Sequence, residues 1–266
     1  MDHVASLKKL LAVVLPLLAL AACATPPTDP AARAQFDANN DPLEPLNREI
    51  FSFNMFLDKW LIKPVSQAYQ DVMPDPGKEA IRNFLSNLHE PVIFANNVVQ
   101  TEFQRAAWTA ERFAVNSTVG VGGIVDVASK WGIERQSGDF GQTLFHYGIP
   151  DGPYLVLPIL GPSNPRDTVG MVADGYADPF SYLAYDFGAD VATYSRMGAE
   201  GLDIRTQNLQ ALADLQRNAI DLYAEIRSLY RQHRGSELRH GAPASTPAEM
   251  EELYRDPEPG TSATPR

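Results

Sequence analysis

One cysteine, Cys23, and five histidines define the chemical possibilities of this 266-residue chain. A lone thiol forms no disulfide within the chain, and no second thiolate completes a metal site. His89, His146 and His233 are far apart in sequence, His240 lies near the C-terminal end, and no His-Glu-x-x-His spacing occurs. No Gly-x-Ser-x-Gly elbow supplies a nucleophile. Asp174 and Asp178 flank Gly175-Tyr176-Ala177, a pattern commoner at helix ends than around calcium. Hydrolytic, metal and nucleotide chemistry therefore lack a motif, and neither an enzymatic activity nor a cofactor is expected. What remains is the setting of Cys23. Lys8 and Lys9 precede the apolar run Leu10 to Leu20, interrupted by Pro16, which is the layout of a signal peptide. The run is shorter than the about 20 apolar residues that a bilayer crossing needs.

The block Leu20-Ala21-Ala22-Cys23 resembles the lipobox of bacterial lipoproteins. That resemblance implies cleavage before Cys23, a diacylglyceryl group on its thiol and a third acyl chain on the new amino group. At about 0.8 kcal/mol per buried CH2, two or more chains anchor a protein stably. Ala24, where an Asp would divert sorting, implies delivery to the outer membrane. The alternative is a small buried cysteine inside an ordinary signal sequence cut elsewhere.

Loss of residues 1–22 removes Lys8, Lys9 and Asp2, leaving a charge of about −12. Nucleic acid is thereby excluded as a partner, and no polybasic patch is available for lipid head groups. Residues 23–40 read as a lipidated tether, rich in Ala, Pro, Thr, Asp and Asn. Residues 236–266 read as a disordered acidic, proline-rich tail. Between them, residues 41–235 suffice for one domain with a sizeable core.

Asp41-Pro42-Leu43-Glu44 signals a helix start, with Pro45 as an alternative first residue. Leu46, Ile50, Phe53, Leu57, Trp60 and Leu61 then follow helical spacing, and Phe51, Met55 and Phe56 widen the apolar face. Such a helix is either buried or lipid-facing. Lys63-Pro64 is expected to end it, Asp75-Pro76 to start the next, and Pro91 to start another. Gly120, Gly122 and Gly123 with Ile124 and Val125 miss every nucleotide-loop pattern. They form either a tight turn between helices or a flexible loop bordering an apolar passage. Tyr154 to Leu160 reads as an extended segment laid over helices, since Pro158 disfavours a central strand. From Val191 to Arg234 the spacing of Leu212, Leu215, Ala219, Leu222, Ile226 and Leu229 predicts the longest amphipathic helix, ended by Gly235.

The order of several blocks resembles the MlaA (VacJ) lipoprotein family. These are Asp41-Pro42-Leu43-Glu44, Asn47-Arg48, Phe53-Asn54, Asn83 to Leu88 with Glu90-Pro91, and Arg112-Phe113. Asn116 to Gly120 with Gly122-Gly123, Asp139 to Leu144, and Gly152 through Ser163 to Arg166-Asp167 continue the match. Thr101 and Phe145 stand where the family commonly has glycine, and Ile149-Pro150 replaces a more flexible pair in the loop 138–153.

The resemblance implies an all-α, ring-shaped single domain of short helices, seated in the periplasmic leaflet of the outer membrane. It implies a narrow amphipathic channel that takes misplaced phospholipids from the outer leaflet, usually beside a trimeric porin. The lipids would pass to a periplasmic lipid-binding carrier, MlaC-like, so that lipid asymmetry is maintained. In that frame Cys23 is the lipidated residue, and Gly120, Gly122, Gly123, Ile124 and Val125 border the channel. Ile50, Phe51, Phe53, Phe56, Leu57, Trp60 and Leu61 form the membrane face. The alternative from another class is a structural lipoprotein that braces a porin and moves no lipid.

Overall fold

The computed structural model describes residues 40–186 and 190–240, together with Asp29. Cys23, the signal peptide, nearly all of the tether and the end of the tail lie outside the described residues.

Helix α1 spans Glu44–Leu57, continues through a π-helical turn, Asp58–Ile62, and passes into α2, Lys63–Val72. Helix α3 runs Asp75–Val99 and α4 runs Phe103–Thr118. Two short helices follow, α5 at Val127–Lys130 and α6 at Phe140–His146. Strands β1, Leu155–Leu157, and β2, Gly161–Ser163, form an antiparallel hairpin with Val156 opposite Pro162. The chain closes with α7 at Pro165–Ala177, α8 at Pro179–Asp186, α9 at Asp190–Gln207, α10 at Leu209–Asn218 and α11 at Leu222–Leu238. The fold is mostly helical, as its class was expected to be.

The structure departs from four sequence expectations. Lys63-Pro64 does not end the first helix. Proline lacks the N–H that an α-helix would use, and the π register absorbs it, with Lys63 N–H donating to the Asp58 carbonyl instead. Pro91 does not begin a helix but lies inside α3, which at 25 residues is the longest element described. The long C-terminal helix expected from Val191 to Arg234 is split into α9, α10 and α11. Ala219 turns extended, and the Asp221 carboxylate accepts from the Tyr223 and Ala224 N–H groups while Arg48 holds it from α1 at 2.6 Å. A residue that caps one helix and pairs with another cannot also continue the first. Gly235 is buried within α11 rather than ending it.

The apolar core is small: Tyr154, Val156 and Tyr223, with Ile50, Phe51 and Tyr230 packed against them. The Phe51 and Tyr223 rings meet edge to face at 5.5 Å, a favoured quadrupole arrangement. Ile50 and Phe51 therefore face this core and leave the membrane face proposed for them.

Two asparagines of α1 hold β1 alongside the helix. Asn47 accepts from Val156 N–H at 2.9 Å and donates to the Tyr154 carbonyl at 3.0 Å. Two turns on, Asn54 donates to the Leu157 carbonyl at 2.9 Å and accepts from Ile159 N–H at 2.8 Å. A side-chain amide offers both a donor and an acceptor, so each satisfies an open strand edge twice.

Candidate functional site

The interior is polar and the exterior is apolar. Among the described residues, 9 hydrophobic side chains are buried against 24 polar or charged ones, and 33 large hydrophobics are exposed. That inverts the arrangement expected in water, where a buried polar group is the exception. Polar groups buried in this way must find their partners inside the fold.

Helices α3 and α4 show how this is built. Along their contact, Asn87 donates to the Ser117 hydroxyl at 3.0 Å and Asn97 to the Thr109 hydroxyl at 3.3 Å. Beyond the helix end, Gln100 donates to Thr143, which itself donates to Asn96. Midway sits Arg112, whose side chain is wholly buried. Its guanidinium makes a fork to Asp126 at 3.0 and 3.1 Å, reaches Ser129 and the Ile133 carbonyl, and meets Glu90 only at 3.4 Å. Glu90 Oε2 has no hydrogen-bond partner.

The two carboxylates are thus unequal. Burial raises the Glu90 carboxyl above its ordinary value, and Arg112 only partly opposes that. Burial acts in the same direction on Asp126, but hydrogen bonds from Ser129 and Asn116 and the charge of Arg112 hold it well below its ordinary value. Asp126 therefore neutralises the guanidinium, and Glu90 is held as the more readily protonated partner.

The glycine turn lies at the end of this seam. Val121, Gly122 and Gly123 have φ of 55°, 70° and 92°, left-handed geometry that glycine adopts without a steric cost. Gly123 N–H donates to the Asn116 carbonyl at 2.8 Å, and Val125 N–H to the Gly120 carbonyl at 3.0 Å. A Cβ on Gly120 would lie 2.2 Å from the Val125 carbonyl oxygen, and one on Gly123 would lie 2.5 Å from Asn87. Gly120 and Gly123 are thus demanded by close packing, whereas Gly122 faces open space. The backbone angles and hydrogen bonds of this segment are those of a tight turn. The same turn pushes Ile124, Val125 and Val121 outward, with Val121 67% exposed.

On α1 and the π turn that follows it, Phe53, Phe56, Trp60 and Leu61 are exposed, Phe56 by 60% and Trp60 by 66%, while Leu57 is half-buried. The π turn sets this orientation. It carries Asp58 inward to Arg205 of α9, at 2.6 and 3.0 Å, and leaves Trp60 and Leu61 outside. The hairpin tip adds Ile159 and Leu160, both exposed, to the side of the helix that Asn54 occupies.

A family model described as MlaA lipoprotein matches residues 39–237. The chain belongs to the MlaA lipoprotein family. It is 34% identical over 228 residues to the intermembrane phospholipid transport system lipoprotein MlaA of Escherichia coli K12, covering 84% of this chain and 86% of that protein. It is 32% identical over 230 residues to the corresponding MlaA of Haemophilus influenzae, covering 85% and 88%. A protein of Rickettsia typhi without an assigned role is 33% identical over 202 residues, or 75% of this chain and 78% of its own. A solved structure, described as "Structural basis for maintenance of bacterial outer membrane lipid asymmetry", is similar with a TM-score of 0.65 and 35% identity. It covers 74% of this chain and 98% of that one.

Several residues quoted for the MlaA resemblance have structural roles here that their spacing alone did not state. Asn47 and Asn54 fasten the hairpin, Glu90 and Arg112 form the buried seam, and Asp167 accepts from Arg234 of α11 at 2.8 Å. Thr101, where the MlaA family commonly has glycine, adopts φ 61°. Phe145 lies under the Arg166 guanidinium at 5.3 Å. His89 contacts Glu200 at 2.9 Å and His240 contacts Glu102 at 2.8 Å, each tying a distant helix. No group of three or more His, Cys, Asp or Glu among the described residues could hold a metal. No helix among them is long and apolar enough to cross a membrane.

Proposed function

We propose that this chain moves phospholipid out of the outer leaflet of the outer membrane and so maintains lipid asymmetry. The observation that carries this reading is the inverted fold, with polar networks inside and large hydrophobics outside. Such a body suits one leaflet: its apolar faces lie in hydrocarbon, and without a spanning helix it does not bridge both interfaces as a span would. A phospholipid crossing the bilayer midplane needs a polar path for its phosphate, because burying an unpaired anion is prohibitive, while its tails can stay in hydrocarbon. Polar networks close to exposed apolar faces support a body that offers both environments.

On this reading Cys23 carries the lipid anchor, the exposed residues of α1 seat the body in the periplasmic-facing leaflet, and the turn Gly120 to Val125 borders the lipid path. A trimeric porin stands beside it, and a periplasmic lipid-binding carrier receives the product. Transfer runs downhill or draws its energy from other components, since this chain has no nucleotide motif. Deletion of the gene tests the reading. Phospholipid is expected at the cell surface of the deletion strain, with detergent sensitivity, both reversed by the wild-type gene. Unchanged surface phospholipid would overturn the proposal.

A further inference from the structure

The chain is acidic, and its arginines are drawn into ion pairs: Arg82 with Asp203, Arg196 with Asp178 and Arg205 with Asp58 are examples. Lysine is scarce, with only Lys59, Lys63, Lys78 and Lys130 between residues 40 and 240. Lys78 pairs with Asp75 at 2.8 Å. The other three make no ion pair among the described residues, and each lies beside an exposed tryptophan.

Lys59 precedes Trp60, with its ammonium 5.4 Å from the ring centroid, and Lys63 follows one helical turn on. Lys130 ends α5 and precedes Trp131, which is 61% exposed. Exposed apolar side chains adjoin both pairs, Phe56 and Leu61 in one case, Ile124 and Val125 in the other.

We infer that these two lysine–tryptophan edges rest at the head-group level of a phospholipid leaflet and bind the phosphates there. Tryptophan prefers the interface because its ring is apolar and its N–H seeks a partner. Lysine extends an apolar stem along the patch and presents its ammonium to the phosphates. Charge selects lipid over a protein partner as occupant. In a chain of net −11, the lysines without an ion pair stand among exposed tryptophans and apolar side chains, and a lipid phosphate layer offers the matching anion next to hydrocarbon. This inference rests on the leaflet reading above, but it is tested without any lipid movement.

The test uses the full-length lipidated protein in vesicles of mixed phosphatidylcholine and phosphatidylglycerol. The chain has three tryptophans, so W108F+W131F leaves Trp60 alone and W60F+W108F leaves Trp131 alone. Fluorescence is quenched by lipids brominated either close to the glycerol or close to the chain end. Both tryptophans are expected to be quenched best by the shallow bromine. Brominated phosphatidylglycerol should quench Trp60 in preference to the phosphatidylcholine form, with a bias of about fivefold per lysine that K59Q+K63Q abolishes. Trp131 should lose its bias in K130Q. A tryptophan left unquenched, or quenched best by the deep bromine, would overturn the head-group placement. Equal quenching by the two lipids in the unsubstituted lysine background would overturn phosphate binding. Failure of surface-phospholipid control in cells with these results intact would instead count against the transport reading.

Discussion

Between α3 and α4 the buried partners are Asn87 with Ser117, Arg112 with Glu90 and Asn97 with Thr109, whereas between α1, β1 and α11 the hydrogen bonds of Asn47 and the pair of Asp41 with Arg227 stand beside an apolar cluster of Val156 with the rings of Phe51, Tyr154 and Tyr223. The first junction is held by hydrogen bonds and charge, the second by hydrogen bonds, charge and apolar burial together. Hydrophobic packing drives association only where water would otherwise touch the apolar groups. In hydrocarbon, helices associate through polar contacts and close approach instead. The contrast teaches that, of the two junctions, the second adds a cluster of aromatic rings to its polar contacts.

The most damaging way to break the polar junction is Arg112→Met. It leaves Glu90 and Asp126 without their shared cation in a buried site, and a loss of about 3–5 kcal/mol is expected from denaturation in detergent. At the second junction, Val156→Ala removes two methyl groups and should cost about 2 kcal/mol in the same assay. A Val156→Ala loss exceeding that of Arg112→Met would reverse the contrast.

The two carboxylates around Arg112 separate by pH. Asp126 titrates below its ordinary value, so its contribution is present above that value and is lost as pH falls through the folded-state pKa. Glu90 titrates above its ordinary value, so the unfolded chain releases that proton first and stability declines as pH rises through the interval. Asp126→Asn should therefore lower stability at neutral pH and flatten its acid limb. Glu90→Gln should raise stability at neutral pH and flatten the decline on the alkaline side. Unfolding midpoints measured across pH decide it, and identical profiles for the two variants would refute the division of roles.

The smallest effect concerns backbone strain at the end of the polar seam. Thr101 is β-branched and left-handed at φ 61°, which costs on the order of 1 kcal/mol. Thr101→Gly should recover about that amount as a raised unfolding midpoint. No gain would show that the surrounding contacts have already absorbed the strain.

Helix positions were largely legible because the apolar spacing is regular, and Phe53, Phe56, Trp60 and Leu61 are exposed as a lipid-facing helix requires. Direction was not legible where both sides of a helix are apolar. Ile50 and Phe51 differ from Phe53 only in having Tyr154, Val156 and Tyr223 opposite them, residues more than 100 positions away. Proline misled twice, since Pro64 is accommodated by a π turn and Pro91 by a helix embedded among neighbours. The break before α11 has a local signature in Asp221, which caps the helix, and Arg48 adds a tertiary contact to it from α1. Arg112 and Glu90 stood within the quoted blocks, but only their burial reveals a charge pair.

The account stands or falls on whether lipid actually moves. Purified full-length protein, reconstituted with its porin in vesicles holding labelled phospholipid, is mixed with the soluble periplasmic carrier, and label reaching the carrier is followed over time. The account predicts transfer that requires this chain and is slowed by Gly123→Val, whose side chain would collide with Asn87 beside the proposed path. Transfer at the same rate with and without the chain would contradict it, and would leave a protein that braces the porin without carrying lipid.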